Sequence, residues 1–146
     1  MTKTNASNYK IVSGSWDELK LDAQMIRERV FIQEQNIAAE DEWDEQDSLS
    51  LHFIVYEDHQ AIATARLLQN NSIGRVAVLS SHRGLGIGKL LMLEIIQVAK
   101  NQGRNKLHLS AQEHAIPFYN GLGFKQKGEF YLDCGIPHID MDLSVI

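Results

Sequence analysis

The 146-residue sequence has a single cysteine, Cys134. That excludes an internal disulfide and a cysteine-built zinc cluster. Only two prolines occur, Pro117 and Pro137. No Pro- or Ser-rich linker, internal repeat or low-complexity tract divides the chain. One domain spanning 1–146 is therefore expected, with residues 1–8 as a flexible tail. Long apolar runs are missing too. The densest, Leu90 to Leu93, stops at Glu94, far short of the roughly 20 residues a membrane span needs. The opening residues lack the apolar core of a secretory signal, so a cytoplasmic protein without membrane contact is expected. Basic charge is also in deficit: 14 Lys and Arg against 19 Asp and Glu, a net charge of −5. This argues against nucleic acid as a partner. What remains is a chain that is 44% apolar, enough for a real core in one compact unit.

The charge is unevenly placed. Residues 34–47 hold seven acids (Glu34, Glu40, Asp41, Glu42, Asp44, Glu45, Asp47) and no Lys or Arg; outside them stand 12 of the 19 acids against all 14 bases. Such a segment reads either as a solvated acidic loop or as a field that attracts a cationic amine.

The stretch from Ile73 to Gly103 is the most informative. Arg75 to Leu79 is short and rich in β-branched residues, which suits a buried strand. Ile87, Leu91, Ile95 and Val98 fall at helical spacing, with Lys89, Glu94, Gln97, Lys100 and Asn101 on the opposite face. Lys100 and Gly103 form a helix stop. Between strand and helix, Gly84, Gly86 and Gly88 alternate. Missing Cβ atoms let a ligand approach the backbone, and the unpaired N–H groups and dipole of the helix start favour an anion. With Arg83 and Lys89 on either side, the loop suits a phosphate or pyrophosphate. It is neither a Walker loop, which needs Gly at 83 and Ser or Thr at 90 where Arg83 and Leu90 stand, nor a dinucleotide fingerprint, which needs Gly at 89 or 91 where Lys89 and Leu91 stand.

Arg83-Gly84-Leu85-Gly86-Ile87-Gly88 resembles the Arg/Gln-x-x-Gly-x-Gly/Ala motif of the GCN5-related N-acetyltransferases, and the Val76-x-Val78 strand before it fits as well. Ala115-x-x-Phe118-Tyr119-x-x-Leu122-Gly123-Phe124 resembles the family's second signature. Arg29-Val30-Phe31-Ile32-Gln33-Glu34-Gln35 and Asp44-x-x-Asp47-x-x-x-x-His52 resemble runs of its ElaA-like branch. The resemblance covers nearly the whole chain. It implies that acetyl-CoA is a co-substrate held by Val76, Ala77, Val78, Arg83, Gly84, Leu85, Gly86, Ile87, Gly88, Lys89 and Phe118. It also implies a small-molecule amine as acceptor, and it leaves room for a homodimer.

Taken in order, Tyr9 to Ser13 reads as a strand. Ser15-Trp16-Asp17-Glu18 has capping-box spacing, so a helix is expected from Trp16 to about Gln33. His52–Glu57, Ala61–Leu68 and the strand holding Val76 and Val78 form an antiparallel meander. Leu107–Ala111 follows a helical connection and should lie parallel to its predecessor. A short helix is expected near Ile116–Leu122, with Pro117 in its first turn. Lys125–Leu132 and His138–Leu143 form a final strand pair. The expectation is an α/β fold with a mixed, mostly antiparallel sheet flanked by helices, the acyl-CoA N-acyltransferase (GNAT) fold.

Acetyl transfer to an amine needs a way to deprotonate it, a donor for the oxyanion and a proton for the leaving thiolate. In the family the oxyanion donor comes from the splayed central strand, here the Val78 region. Tyr119 occupies the family's tyrosine position and is the expected thiolate donor. For the base, Glu34, His52, Glu113 and His138 all qualify, as does a water relay; Glu34 and His138 lie in branch-like runs. No metal is expected. Cys134 reads as a passive thiol near a turn. Two other functions share some of these features: an acyl-homoserine-lactone-type synthase and a non-catalytic acyl-CoA sensor.

Overall fold

The computed structural model describes residues 8–146. The expected tail falls almost wholly outside these residues; Asn8 is described, and its carbonyl accepts from the Asp58 N–H at 3.5 Å. Seven strands form one sheet in the order β1-β2-β3-β4-β5-β7-β6. These are β1 (Tyr9–Gly14), β2 (Leu51–Glu57), β3 (Gln60–Leu67), β4 (Ser72–Val78), β5 (Lys106–Gln112), β6 (Lys125–Asp133) and β7 (Ile136–Ser144). Only β4 and β5 pair in parallel, as a helical crossover requires. The α/β class and the mostly antiparallel sheet agree with the sequence reading.

One helix covers each face of the sheet. α1 (Trp16–Arg27) starts at Ser15, whose hydroxyl accepts from the Glu18 N–H while the Glu18 carboxylate accepts from the Ser15 N–H. That reciprocal cap fixes the helix start where the spacing placed it. α1 packs Leu19, Ala23 and Ile26 with Ile54, Ala61 and Ala77. On the other face α3 (Ile87–Asn101) buries Leu91, Met92, Ile95 and Ala99 against Phe53, Ile62 and Leu107. Full burial of each large aliphatic side chain contributes roughly 1.5–3 kcal/mol, so these two stripes anchor the sheet from both sides.

The first helix does not run to Gln33 as one α-helix. Its α part ends at Arg27, and Glu28–Glu34 turns with a π-helical pitch. The Gln35 N–H donates to the Val30 carbonyl at 3.2 Å, and Asn36 leaves the segment with φ 59°. The wider turn buries Val30 and Phe31 while Glu34 stays exposed. Periodicity over seven residues does not separate a π pitch from an α pitch, and π segments concentrate at functional sites.

The acidic segment is divided: Glu34, Glu40, Asp41 and Glu45 stay exposed, whereas Glu42 and Asp47 are buried. α2 (Ala39–Glu42) and the turn after it fold inward onto three arginines supplied by distant elements. Arg27, 1% exposed, donates to Glu42 at 2.7 Å and to Asp47 at 2.7 Å. Its guanidinium carbon lies 5.6 Å from the Trp16 ring and 5.0 Å from the Trp43 ring. Arg66 bonds Asp44 and Asp47 at 2.7 and 2.8 Å, and Arg75 bonds Asp44 at 3.2 Å. Glu42 and Asp47 are therefore neither solvated nor free to attract a cation, and Asp44, still in contact with solvent, is held by Arg66 and Arg75. They clamp a loop that has few apolar residues to bury.

Candidate active site

A break in the sheet creates the site. Between Thr64 and Arg66 on β3 the register shifts, so that Arg75 and Val76 on β4 oppose Ala65 alone. Arg75 holds φ 52°, and this bulge redirects the strand. The β4–β5 ladder consists of Ser72 with His108 and Ile73 with Leu109. Beyond that, β5 continues in pairing with β7 as far as Gln112 with His138. The β5-facing edge of Gly74 to Val78 is left without a strand, and the two arms of the sheet enclose a cleft.

Two cavities meet in this cleft. One, of about 600 Å³, is lined by Val76, Ala77, Val78, Arg83, Gly84, Gly86, Ile87, Gly88, Lys89 and Phe118. Of the residues expected to hold acetyl-CoA, only Leu85 is missing from this wall; its side chain is exposed. The other cavity, of about 310 Å³, lies on the far side and is lined among others by Phe31, Arg75, Ser110, Asp133, Cys134 and His138. Gln35, Val76, His114 and Tyr119 line both.

The loop fits a diphosphate on its own geometry. Gly84 and Gly86 hold φ 78° and 82°, and a Cβ on either would meet no atom of the chain within 4 Å. Glycine is required there for backbone conformation, and the space above it is open. Gly88 differs, since its Cβ would lie 3.4 Å from the Phe118 ring. No side chain caps α3, whose first internal bond runs from the Leu90 N–H to the Gly86 carbonyl. The N–H groups of Gly84 to Lys89 thus lack backbone acceptors, which is the donor set an anion seeks at a helix start. Lys89 is exposed beside them and has no acidic partner among the described residues. Arg83 does not act as a second free charge. It bonds Glu34 with two contacts of 2.8 Å and the Val78 carbonyl at 2.9 Å.

The candidate bases separate clearly. The hydrogen bond from Arg83 holds Glu34 below the ordinary carboxylate range, so it is a poor proton acceptor that instead ties the π segment to the loop. His52 lies in neither cavity. It is buried with Nε2 bonded to the Asp47 carbonyl at 2.7 Å, and burial lowers its pKa. Glu113 is exposed and lines neither cavity. His138 is buried on the wall of the smaller cavity. Its Nδ1 donates to the Ile136 carbonyl at 2.7 Å, which leaves the Nε2 lone pair free. Tyr119 is 8% exposed, and its hydroxyl has no hydrogen-bond partner among the described residues. Burial pushes its pKa up to about 12, so the phenol keeps its proton at any ordinary pH.

Sequence reasoning missed Gln35, Arg75, His114, Gln112 and Asp133. The Gln112 amide donates to Gln35 Oε1 at 2.9 Å and so bridges the two arms of the cleft. Gln35 ends the branch-like run from Arg29 but nothing local marks it as part of a cleft, and Arg75, Gln112, His114 and Asp133 are brought to it from three other segments. Among the described residues no group of three or more His, Cys, Asp or Glu is placed to hold a metal ion, and no helix is long and apolar enough to cross a membrane.

Comparisons with known proteins agree with this geometry. Residues 20–145 match the family model described as an acetyltransferase (GNAT) domain. The chain is 36% identical over 135 residues to an uncharacterized N-acetyltransferase, YjcF, of Bacillus subtilis, covering 90% of this chain and 96% of the relative. A solved acyl-CoA N-acyltransferase from Pseudomonas aeruginosa is 31% identical with a TM-score of 0.83, over 92% of this chain and 99% of that one. Escherichia coli ElaA is 33% identical over 129 residues, 83% of this chain and 84% of its own. Its crystal structure superposes with a TM-score of 0.83 at 28% identity, over 92% of this chain and 99% of that one. The chain belongs to the GCN5-related N-acetyltransferases, in the branch that includes ElaA.

Proposed function

We propose that this protein transfers an acetyl group from acetyl-CoA to the primary amine of a small molecule, by direct attack with both substrates bound. The observation that carries the reading is the meeting of the two cavities at Tyr119. A thioester entering from the loop side and an amine entering from the other side come together there without leaving the cleft. The amine nitrogen attacks the thioester carbonyl carbon; a C–N bond forms, the C–S bond breaks, and sulfur departs with the electron pair. From its ammonium form the amine gives up two protons, one before it attacks and one as the amide forms; the sulfur takes up one and the other passes to solvent.

Each demand has a residue to meet it. A lysine-like amine has a pKa of roughly 10.4, so it arrives protonated, and His138 Nε2 is the acceptor for that proton. The unpaired edge of β4 near Val78 supplies a backbone donor to the oxyanion, a contact worth about 3 kcal/mol when well aimed. Tyr119 donates a hydrogen bond to the departing sulfur. With its pKa at about 12, it stabilises a thiolate of ordinary pKa near 8.5 by hydrogen bonding more readily than by full transfer, although burial raises the sulfur as well. Gly84 to Lys89 hold the diphosphate, Val76 and Ala77 lie along the pantetheine arm, and Phe118 packs beside it. The fold and the lone thiol at Cys134 suit a cytoplasmic enzyme.

The test is a panel of amines with acetyl-CoA, following release of free CoA thiol. Tyr119→Phe should lower kcat by about 10²-fold, at the low end for a general acid, with acetyl-CoA affinity unchanged. Below pH 10 the wild-type rate should show no alkaline fall that Tyr119→Phe removes, because the phenol is pushed up to about 12. Tight acetyl-CoA binding without turnover of any amine would favour the sensor.

A further inference from the structure

The smaller cavity is graded from an apolar floor to an acidic mouth. Phe31, Ile73, Leu109 and Ala111 are buried in its wall, together with Tyr119 and His138. Asp41 on α2 and Asp133 at the end of β6 are exposed at its opening. Asp133 is fixed there by a two-residue hairpin in which Cys134 and Gly135 both adopt positive φ, 51° and 77°, the geometry of a tight primed turn. Both carboxylates line the cavity together with the Cys134 thiol, whose pKa is raised by burial first and then by Asp133 and Asp41.

Neither carboxylate has a cationic partner among the described residues. The one arginine in the wall, Arg75, is already taken: it bonds the Glu42 carbonyl at 2.9 Å, Asp44 at 3.2 Å and the Glu42 carboxylate at 3.1 Å. No lysine lines the cavity. A carboxylate on the acceptor would therefore find no free cation and two like charges. At the inner end Tyr119, 8% exposed, lines the cavity, and its hydroxyl has no hydrogen-bond partner among the described residues.

We infer that the acceptor is a diamine, or another primary amine carrying a second positive charge. Its reactive nitrogen sits between Tyr119 and His138, and its distal ammonium lies between Asp41 and Asp133. This rests on the acetyltransferase reading above and names the substrate class for that site. An apolar linker matches the apolar floor, and opposed charges at the mouth hold the far end in register.

The test compares three acceptors of equal carbon count with acetyl-CoA: a linear diamine, the corresponding monoamine and the ω-amino acid. kcat/KM should be about tenfold higher for the diamine than for the monoamine, the scale of two partly exposed ion pairs, and lowest for the amino acid. In an Asp41→Asn, Asp133→Asn double variant the diamine-to-monoamine ratio should fall towards one, with acetyl-CoA affinity retained as the check on folding. Raised salt should shrink the ratio in the wild type in the same way. Equal rates for diamine and monoamine, a preference for the amino acid, or a ratio untouched by the double variant would overturn the inference and leave the acetyltransferase standing. Acetylation of none of the three or of any other amine would overturn both.

Discussion

The two walls of the cleft are built on opposite plans. The donor wall is concentrated in sequence: Val76 to Val78 and, Leu85 apart, Arg83 to Lys89 supply most of it, and they act largely through backbone. The acceptor wall draws on separated stretches, among them Phe31 to Ile37, Asp41 and Glu42, Ile73 to Val76, Leu109 to Ala115, the Asp133–Cys134 turn and His138. It acts through side chains. A backbone cradle needs glycine at fixed intervals and tolerates little else, whereas a side-chain wall can be rebuilt one residue at a time. On the proposed function, one wall would serve a constant ligand and the other would be fitted to a particular acceptor.

The contrast can be broken most forcefully at Arg27. Arg27→Ala would leave Glu42 and Asp47 buried without their main cation, a loss of about 3–5 kcal/mol of stability. Urea unfolding should show it. The damage should centre on the acceptor wall, because Glu42 also holds Arg75. A stability change under about 1 kcal/mol would mean the clamp behaves as an ordinary surface pair.

His138→Gln acts within the acceptor wall alone. It should slow turnover by about 10²-fold while acetyl-CoA binding is kept. The remaining rate should follow the ionisation of the amine itself as pH rises. An unchanged rate would move the base elsewhere, to His114 or a water.

Gly86→Val acts on the donor wall. A Cβ there meets no atom within 4 Å, so the effect comes from strain at φ 82° and from the space the branch takes above the loop. Acetyl-CoA affinity should drop at least about tenfold, or 1.4 kcal/mol, as calorimetry would report. Gly88→Val is a blunter probe, because its side chain would also press on Phe118.

The same contrast explains what could be read from the sequence. Ser15 with Glu18, the helical stripe from Ile87 to Val98, and the glycines at 84 and 86 are local patterns, and local physics placed them where the structure has them. The β2-β3-β4 meander, the parallel β5 and the pairing of the last two strands followed from short connections and one helical crossover, whereas β1 beside β2 and β7 beside β5 rest on long-range pairing that no local pattern shows. The burial of Glu42 and Asp47 could not be read, because their partners Arg27, Arg66 and Arg75 come from α1, β3 and β4, and charge counting within a window cannot see them. Arg75 at positive φ gave no warning either, since a bulge arises from the register of two strands. Among the four candidate bases, the sequence favoured Glu34 and His138 by resemblance alone. What sets His138 apart from His52 in the structure is that His138 lines a cavity and His52 lines neither.

The central claim is that a diphosphate rests on the loop from Gly84 to Lys89 while the thioester reaches Tyr119. A crystal structure with acetyl-CoA bound tests it most directly. The account predicts phosphate oxygens within hydrogen-bond distance of those backbone N–H groups and the thioester sulfur within reach of the Tyr119 hydroxyl. Phosphates bound at any other surface, or a sulfur directed away from Tyr119, would contradict it.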